Sequence, residues 1–106
     1  MKPLDLVKIV CHESIMTLVF VKKDGTLRKV VASRCNMMYD KASDDNGHVW
    51  KHEGTPSGYF SYVDVVENKW KRLLIANLVA VKCADGTVFC TSKRALRAAE
   101  KFVGKL

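Results

Sequence analysis

A chain of 106 residues, 48% apolar and 27% charged, is long enough for one domain with a real core, hiding roughly 65% of its unfolded surface on folding without staples. It holds 18 Lys and Arg against 11 Asp and Glu, a net charge of +7, which turns attention to anionic partners. No apolar run approaches the roughly 20 residues of a membrane span, and the start MKPLDLVK lacks the basic-then-apolar layout of a secretory signal; the expectation is a cytoplasmic protein with no membrane partner.

Taken in chain order, Pro3 to Glu13 puts Leu4, Leu6, Val7, Val10 and Cys11 at helical spacing, with Pro3 and Asp5 suited to a first turn. Val7, Ile9 and Val10 are β-branched and pull the other way. The next run, SIMTLVFVK, alternates Met16, Leu18 and Phe20 on one side with Ile15, Val19 and Val21 on the other. A strand apolar on both faces must be covered on both, as in a small barrel with a helix packed outside. Asp24-Gly25 then predicts a two-residue hairpin turn, with Thr26 to Ser33 returning, and Asp85-Gly86 predicts the same between LVAVKC and TVFC. Between these hairpins YFSYVDVV reads as a strand, Glu67-Asn68-Lys69 as a turn and WKRLLI as its partner. Cys35 to Gly58 breaks the regularity with polar residues, glycines and Pro56, a length that in a compact domain marks a functional or disordered loop. The closing TSKRALRAAEKFVGKL is an amphipathic helix over 92–105, capped by Ser92 or Thr91. Leu96, Ala99, Phe102, Val103 and Leu106 face inward, and Lys93, Arg97, Lys101 and Lys105 face outward. The result is one domain over 1–106, mostly β with flanking helices (α+β), with five or six antiparallel strands in a strongly bent sheet or barrel.

Charge is segregated along this layout. Lys22 to Arg34 carries five basic residues and one acid, and Ser92 to Leu106 carries the same, a net +4 each. Asn36 to Glu67 sets six acids against Lys41 and Lys51, a net −4. A chain that only needed solubility would mix its signs, so the pattern favours a basic face and an acidic loop. The four cysteines, Cys11, Cys35, Cys83 and Cys90, sit singly among aliphatic residues, as buried reduced thiols do; a Cys83 to Cys90 link across the second hairpin is the alternative.

The strand before Lys22-Lys23-Asp24-Gly25-Thr26, the basic return strand, the Tyr62-Val63-Asp64-Val65 strand, and Trp70-Lys71-Arg72 entering a strand before Ile75 to Val81 together resemble a group of small bacterial and phage proteins of Sm-like, SH3-type barrel fold, grouped with WYL-related domains. The resemblance covers about half the chain and leaves out the N-terminal helix, the long loop and the C-terminal helix. It implies a barrel and a nucleic-acid or nucleotide context, as in a phage or bacterial regulatory factor, and carries over no catalytic residue. Fold alone does not establish function.

Enzyme signatures are largely missing from the residues. His12-Glu13 opens like a zinc-protease helix, but Met16 stands where the second His is needed. His48 and His52 are four apart and would reach one metal ion only from a helix, which Gly47 and Gly54 oppose; no metal and no cofactor is expected. Lys22, Lys23, Arg28, Lys29 and Arg34 are candidates to contact phosphates from one hairpin, Lys71 and Arg72 would join them on the same sheet, and Trp70, Trp50, Tyr59 and Tyr62 are the aromatics available for stacking bases. Against this stand plainer roles. Trp70 serves equally as core, hairpin lysines protect sheet edges, and Lys93, Arg97, Lys101 and Lys105 form an ordinary solvated face. The leading expectation is a non-enzymatic barrel protein binding DNA or RNA through these cations and Trp70. The rival is a protein-interaction module reading a host or self partner with the acidic loop around Asp44, Asp45, His48 and Trp50, and a small-ligand sensor is a third reading. A homo-oligomer joined through Leu78 to Val81 is also open.

Overall fold

The computed structural model describes residues 1–11, 13–34 and 58–106; the loop predicted over Cys35 to Gly58 lies outside the described residues but for Gly58. Six antiparallel strands form one sheet in the order β4-β3-β2-β1-β5-β6. They are β1 Met16–Val21, β2 Leu27–Ser33, β3 Tyr59–Asp64, β4 Lys69–Leu74, β5 Leu78–Lys82 and β6 Val88–Cys90, with a single 3-10 turn, Ile75–Asn77, between β4 and β5. Helix α1 spans Pro3–Val10 and α2 spans Lys93–Val103.

The central strand explains the layering. Met16, Leu18 and Phe20 enter a core with Leu6, Val7 and Val10 of α1, Val30 and Ala32 of β2, Phe60 and Tyr62 of β3, and Leu73, Ile75, Leu78 and Val81. Val19, on the opposite face, joins Ala80 and Ala99 in a second cluster closed by Leu27, Leu96, Val103 and Leu106. The two-sided apolar pattern is thus covered twice, by α1 and the curl of the sheet on one side and by α2 on the other. Small Ala80 and Ala99 meet there, which lets helix and sheet approach closely. A register shift between Val19 and Phe20 in the β1–β5 pairing bends the central strand where the sheet curls.

Several expectations need correction. Helix α1 stops at Val10 rather than Glu13, with Asp5 accepting from the Lys2 backbone N–H (3.0 Å) to close its first turn. Neither Asp-Gly hairpin is a two-residue turn. In each, the glycine N–H donates to the carbonyl three residues back (Lys22, 2.9 Å; Cys83, 3.0 Å), and only the glycine takes positive φ (+86° at Gly25, +92° at Gly86), the three-residue loop with a left-handed glycine. Asp24 accepts from the Thr26 N–H (3.0 Å) and hydroxyl (2.6 Å), and Asp85 accepts from the Thr87 N–H (2.9 Å), which explains why DGT appears twice. These bonds hold both carboxyls below the usual carboxylate range, the Thr26 hydroxyl leading at Asp24 and the Thr87 N–H at Asp85. Strand β3 ends at Asp64, so Val65 and Val66 belong to the turn, which passes through Asn68 at φ 54°. In α2, Ser92 caps the helix by accepting from the Ala95 N–H (3.0 Å). Phe102 does not face inward: it is 79% exposed, because the helix is seated on Leu96, Ala99 and Val103. Cys83 and Cys90 are free thiols, and Cys90 pairs with Ala80 instead. Strand β5 lies between β1 and β6, so the Leu78 to Val81 run is an interior strand and offers no edge for joining copies.

Candidate functional site

The sheet curls until β1 and β4, separated by two strands in the sheet order, border one open hollow of about 730 Å³. Phe20 and Tyr62 form its floor, their rings edge to face at 6.5 Å and 60°. Register places a cation against each: Arg28 pairs with Phe20 across β1–β2, and Lys71 pairs with Tyr62 across β3–β4. The first hairpin adds Lys22 and Lys23 at the rim, and edge strand β4 adds Arg72, which alternation turns away from Lys71 and Tyr62 and onto the face of Tyr59, its guanidinium 4.3 Å over that ring. Five of the basic residues singled out in the sequence therefore meet at one concavity, drawn from two hairpins about fifty positions apart.

Two of the five are already neutralised. Arg28 reaches Asp64 Oδ2 and Glu67 Oε2, both at 3.3 Å, and Lys71 reaches Asp64 Oδ2 at 3.3 Å and also pairs with Glu67. Asp64 is 2% exposed, and its other oxygen accepts from the backbone N–H groups of Val66 (3.0 Å) and Glu67 (3.1 Å). One carboxylate therefore caps the β3–β4 turn and anchors two cations. Lys22, Lys23 and Arg72 make no ion pair among the described residues; they are the cations with charge left to offer.

The other candidates lie elsewhere. Strand alternation sends Lys29 to the α2 side, since its cross-strand partner is Val19. Arg34 donates to the Ser61 carbonyl (2.9 Å) and lies 4.9 Å over the Phe60 ring. Trp70 is 9% exposed and pairs with Val63, on the face away from its neighbour Lys71. Tyr62 is likewise buried, which pushes its hydroxyl up to about 12. Lys93, Arg97 and Lys101 stand exposed on α2, across the sheet from the hollow's floor, and Lys105 is exposed beyond the helix, which spans Lys93–Val103 rather than 92–105 and ends at Gly104 with φ +85°. Asp44, Asp45, His48, Trp50, His52 and Cys35 lie outside the described residues.

A family model described as WYL_2, Sm-like SH3 beta-barrel fold, matches residues 8–79, about two thirds of the chain. The chain belongs to this WYL_2 family. The WYL_2 match runs through the 35–57 segment, which the motif resemblance left out, and ends within β5, so β6 and α2 lie beyond it. Among the curated proteins and the solved structures, none matches. Among the described residues, no helix is long and apolar enough to cross a membrane and no cluster of three metal-ligating side chains occurs.

Sequence reasoning placed Asp64 in a strand and Glu67 in a turn and counted both in an acidic stretch, but gave neither a role at the site. Two signals were present. Asp64 stands at the inward position of an apolar strand, two residues after Tyr62, and Glu67 precedes Lys71 by four.

Proposed function

We propose that this WYL_2 protein is a non-enzymatic binding module that takes single-stranded nucleic acid across the hollow between the first hairpin and β4. The observation that carries the reading is that Lys22, Lys23 and Arg72 all border one open hollow, with the Arg72 guanidinium 4.3 Å over the Tyr59 ring. Spaced cations track a phosphate backbone, and a stacked guanidinium–aromatic pair offers a planar surface to a base. The concavity suits a flexible strand, whose backbone can bend into it.

The test is fluorescence anisotropy of a labelled single-stranded oligonucleotide, as DNA and as RNA, across a salt series. Three phosphate contacts on a single strand give a log–log slope near about −2, and K22Q/K23Q should flatten it by about 1.4. Replacing Lys93, Arg97, Lys101 and Lys105 by Gln should leave binding at the hollow within about twofold, since these side chains stand across the sheet. A salt-independent response, or a K22Q/K23Q protein with the parent slope, would remove the proposal.

A further inference from the structure

We infer that the Glu67 carboxylate is a resident substitute for phosphate: it holds the anion position between Arg28 and Lys71, and a docking strand displaces it. This rests on the nucleic-acid reading of the hollow and adds to it a residue that sets which anions are admitted.

Two carboxylates share the same two cations, and they are not equivalent. Asp64 is fixed at one oxygen by two backbone N–H groups and is buried. Glu67 is 47% exposed, sits in the β3–β4 turn, and its carboxylate contacts only Arg28 and Lys71 among the described residues. Moving Glu67 aside exposes two cations on the wall of the hollow at little structural cost; moving Asp64 would unmake the turn. The tether also gives Glu67 a high effective concentration at that position. A lone phosphate gains little by replacing a carboxylate already in place. A strand whose next phosphates reach Lys22, Lys23 and Arg72 gains from those contacts together, so Glu67 discriminates in favour of polyanions.

The experiment compares wild type with E67Q, using the labelled single-stranded oligonucleotide and inorganic phosphate as competitor. E67Q should bind the oligonucleotide about 5- to 10-fold more tightly, because the strand no longer displaces a resident carboxylate, and inorganic phosphate should displace the strand from E67Q at lower concentration than from wild type. E100Q raises the net charge equally on α2, where the Glu100 side chain accepts from the Leu106 N–H and Gln keeps an acceptor oxygen. An E67Q gain no larger than that of E100Q overturns the inference, because only total charge would then matter. In a K71Q background the E67Q gain should shrink; an undiminished gain also overturns it. If wild type binds through Lys22 and Lys23 but E67Q gains nothing, this inference alone falls, whereas a wild type that binds no oligonucleotide at any salt removes the reading beneath it.

Discussion

Replacing Asp64 tests how one buried carboxylate ties the site to the fold. In D64A the Val66 and Glu67 N–H groups lose their acceptor, and Arg28 and Lys71 lose the deeper of their two partners. Removing one side of a buried ion pair costs about 3–5 kcal/mol. Here the stranded cations are 36% and 25% exposed and keep Glu67, and the turn faces water, so the expected loss is about 2–4 kcal/mol. D64N keeps an acceptor for the turn while losing the charge and should cost about 1–2 kcal/mol. Urea unfolding followed by fluorescence of the buried Trp70 gives both values, and the D64A melting temperature should fall by roughly 4–8 °C per kcal/mol lost. A D64A protein within about 0.5 kcal/mol of wild type would refute the role assigned to this carboxylate. Equal losses in D64A and D64N would show that the turn bonds contribute nothing beyond the charge.

Two further outcomes are expected. G25A and G86A should each cost about 1–2 kcal/mol in urea unfolding, entirely through the backbone, because an added Cβ at either glycine would meet nothing within 4 Å; a neutral substitution would mean that the loop relaxes out of the left-handed conformation. At alkaline pH, burial pushes Tyr62 from 10.0 up to about 12, and burial followed by the Glu13 carboxylate pushes Cys83 from 9.0 up to about 11. Both groups keep their protons in the fold where the unfolded chain has lost them, so the folded state binds more protons between these values. Stability is therefore full below about pH 9 and falls as pH rises through about 11 and 12. Urea midpoints measured against pH, with tyrosinate absorbance alongside, check this; a midpoint that stays flat above pH 9 would contradict it.

What could be read before any coordinates was local chemistry. Asp24-Gly25 and Asp85-Gly86 mark hairpins because a left-handed residue is cheap only at glycine, and the double alternation of Met16 to Val21 requires cover on both faces. The loop type was misread because the Thr bonds to Asp24 and Asp85 lengthen the turn beyond the dipeptide. The site was half legible. Its cations were named, and the position of Asp64 and the spacing of Glu67 to Lys71 were there to read, but the ion pairs with Arg28 form only once β2, β3 and β4 come together. Phe102 shows the same limit on the helix. A wheel puts it at the margin of the apolar stripe, and only the seat of Ala99 against Ala80 and Val19 fixes the rotation that leaves it in water.

Period-two alternation also decides what becomes of segregated charge. A basic run along a strand cannot present one cationic face: Arg28 turns toward Phe20 and the hollow, Lys29 toward Val19 and the α2 side. The net +4 of the first basic segment is thereby divided between two surfaces, and the part that reaches the hollow meets Asp64 and Glu67 from the acidic segment. The basic face of α2 adds nothing to that concavity, because the helix is held on the other side of the sheet by the second apolar cluster. The cations that border the hollow with no ion pair among the described residues are thus Lys22, Lys23 and Arg72, a small part of the total of +7. A strand that engages them should lose affinity with salt far less steeply than the overall charge suggests.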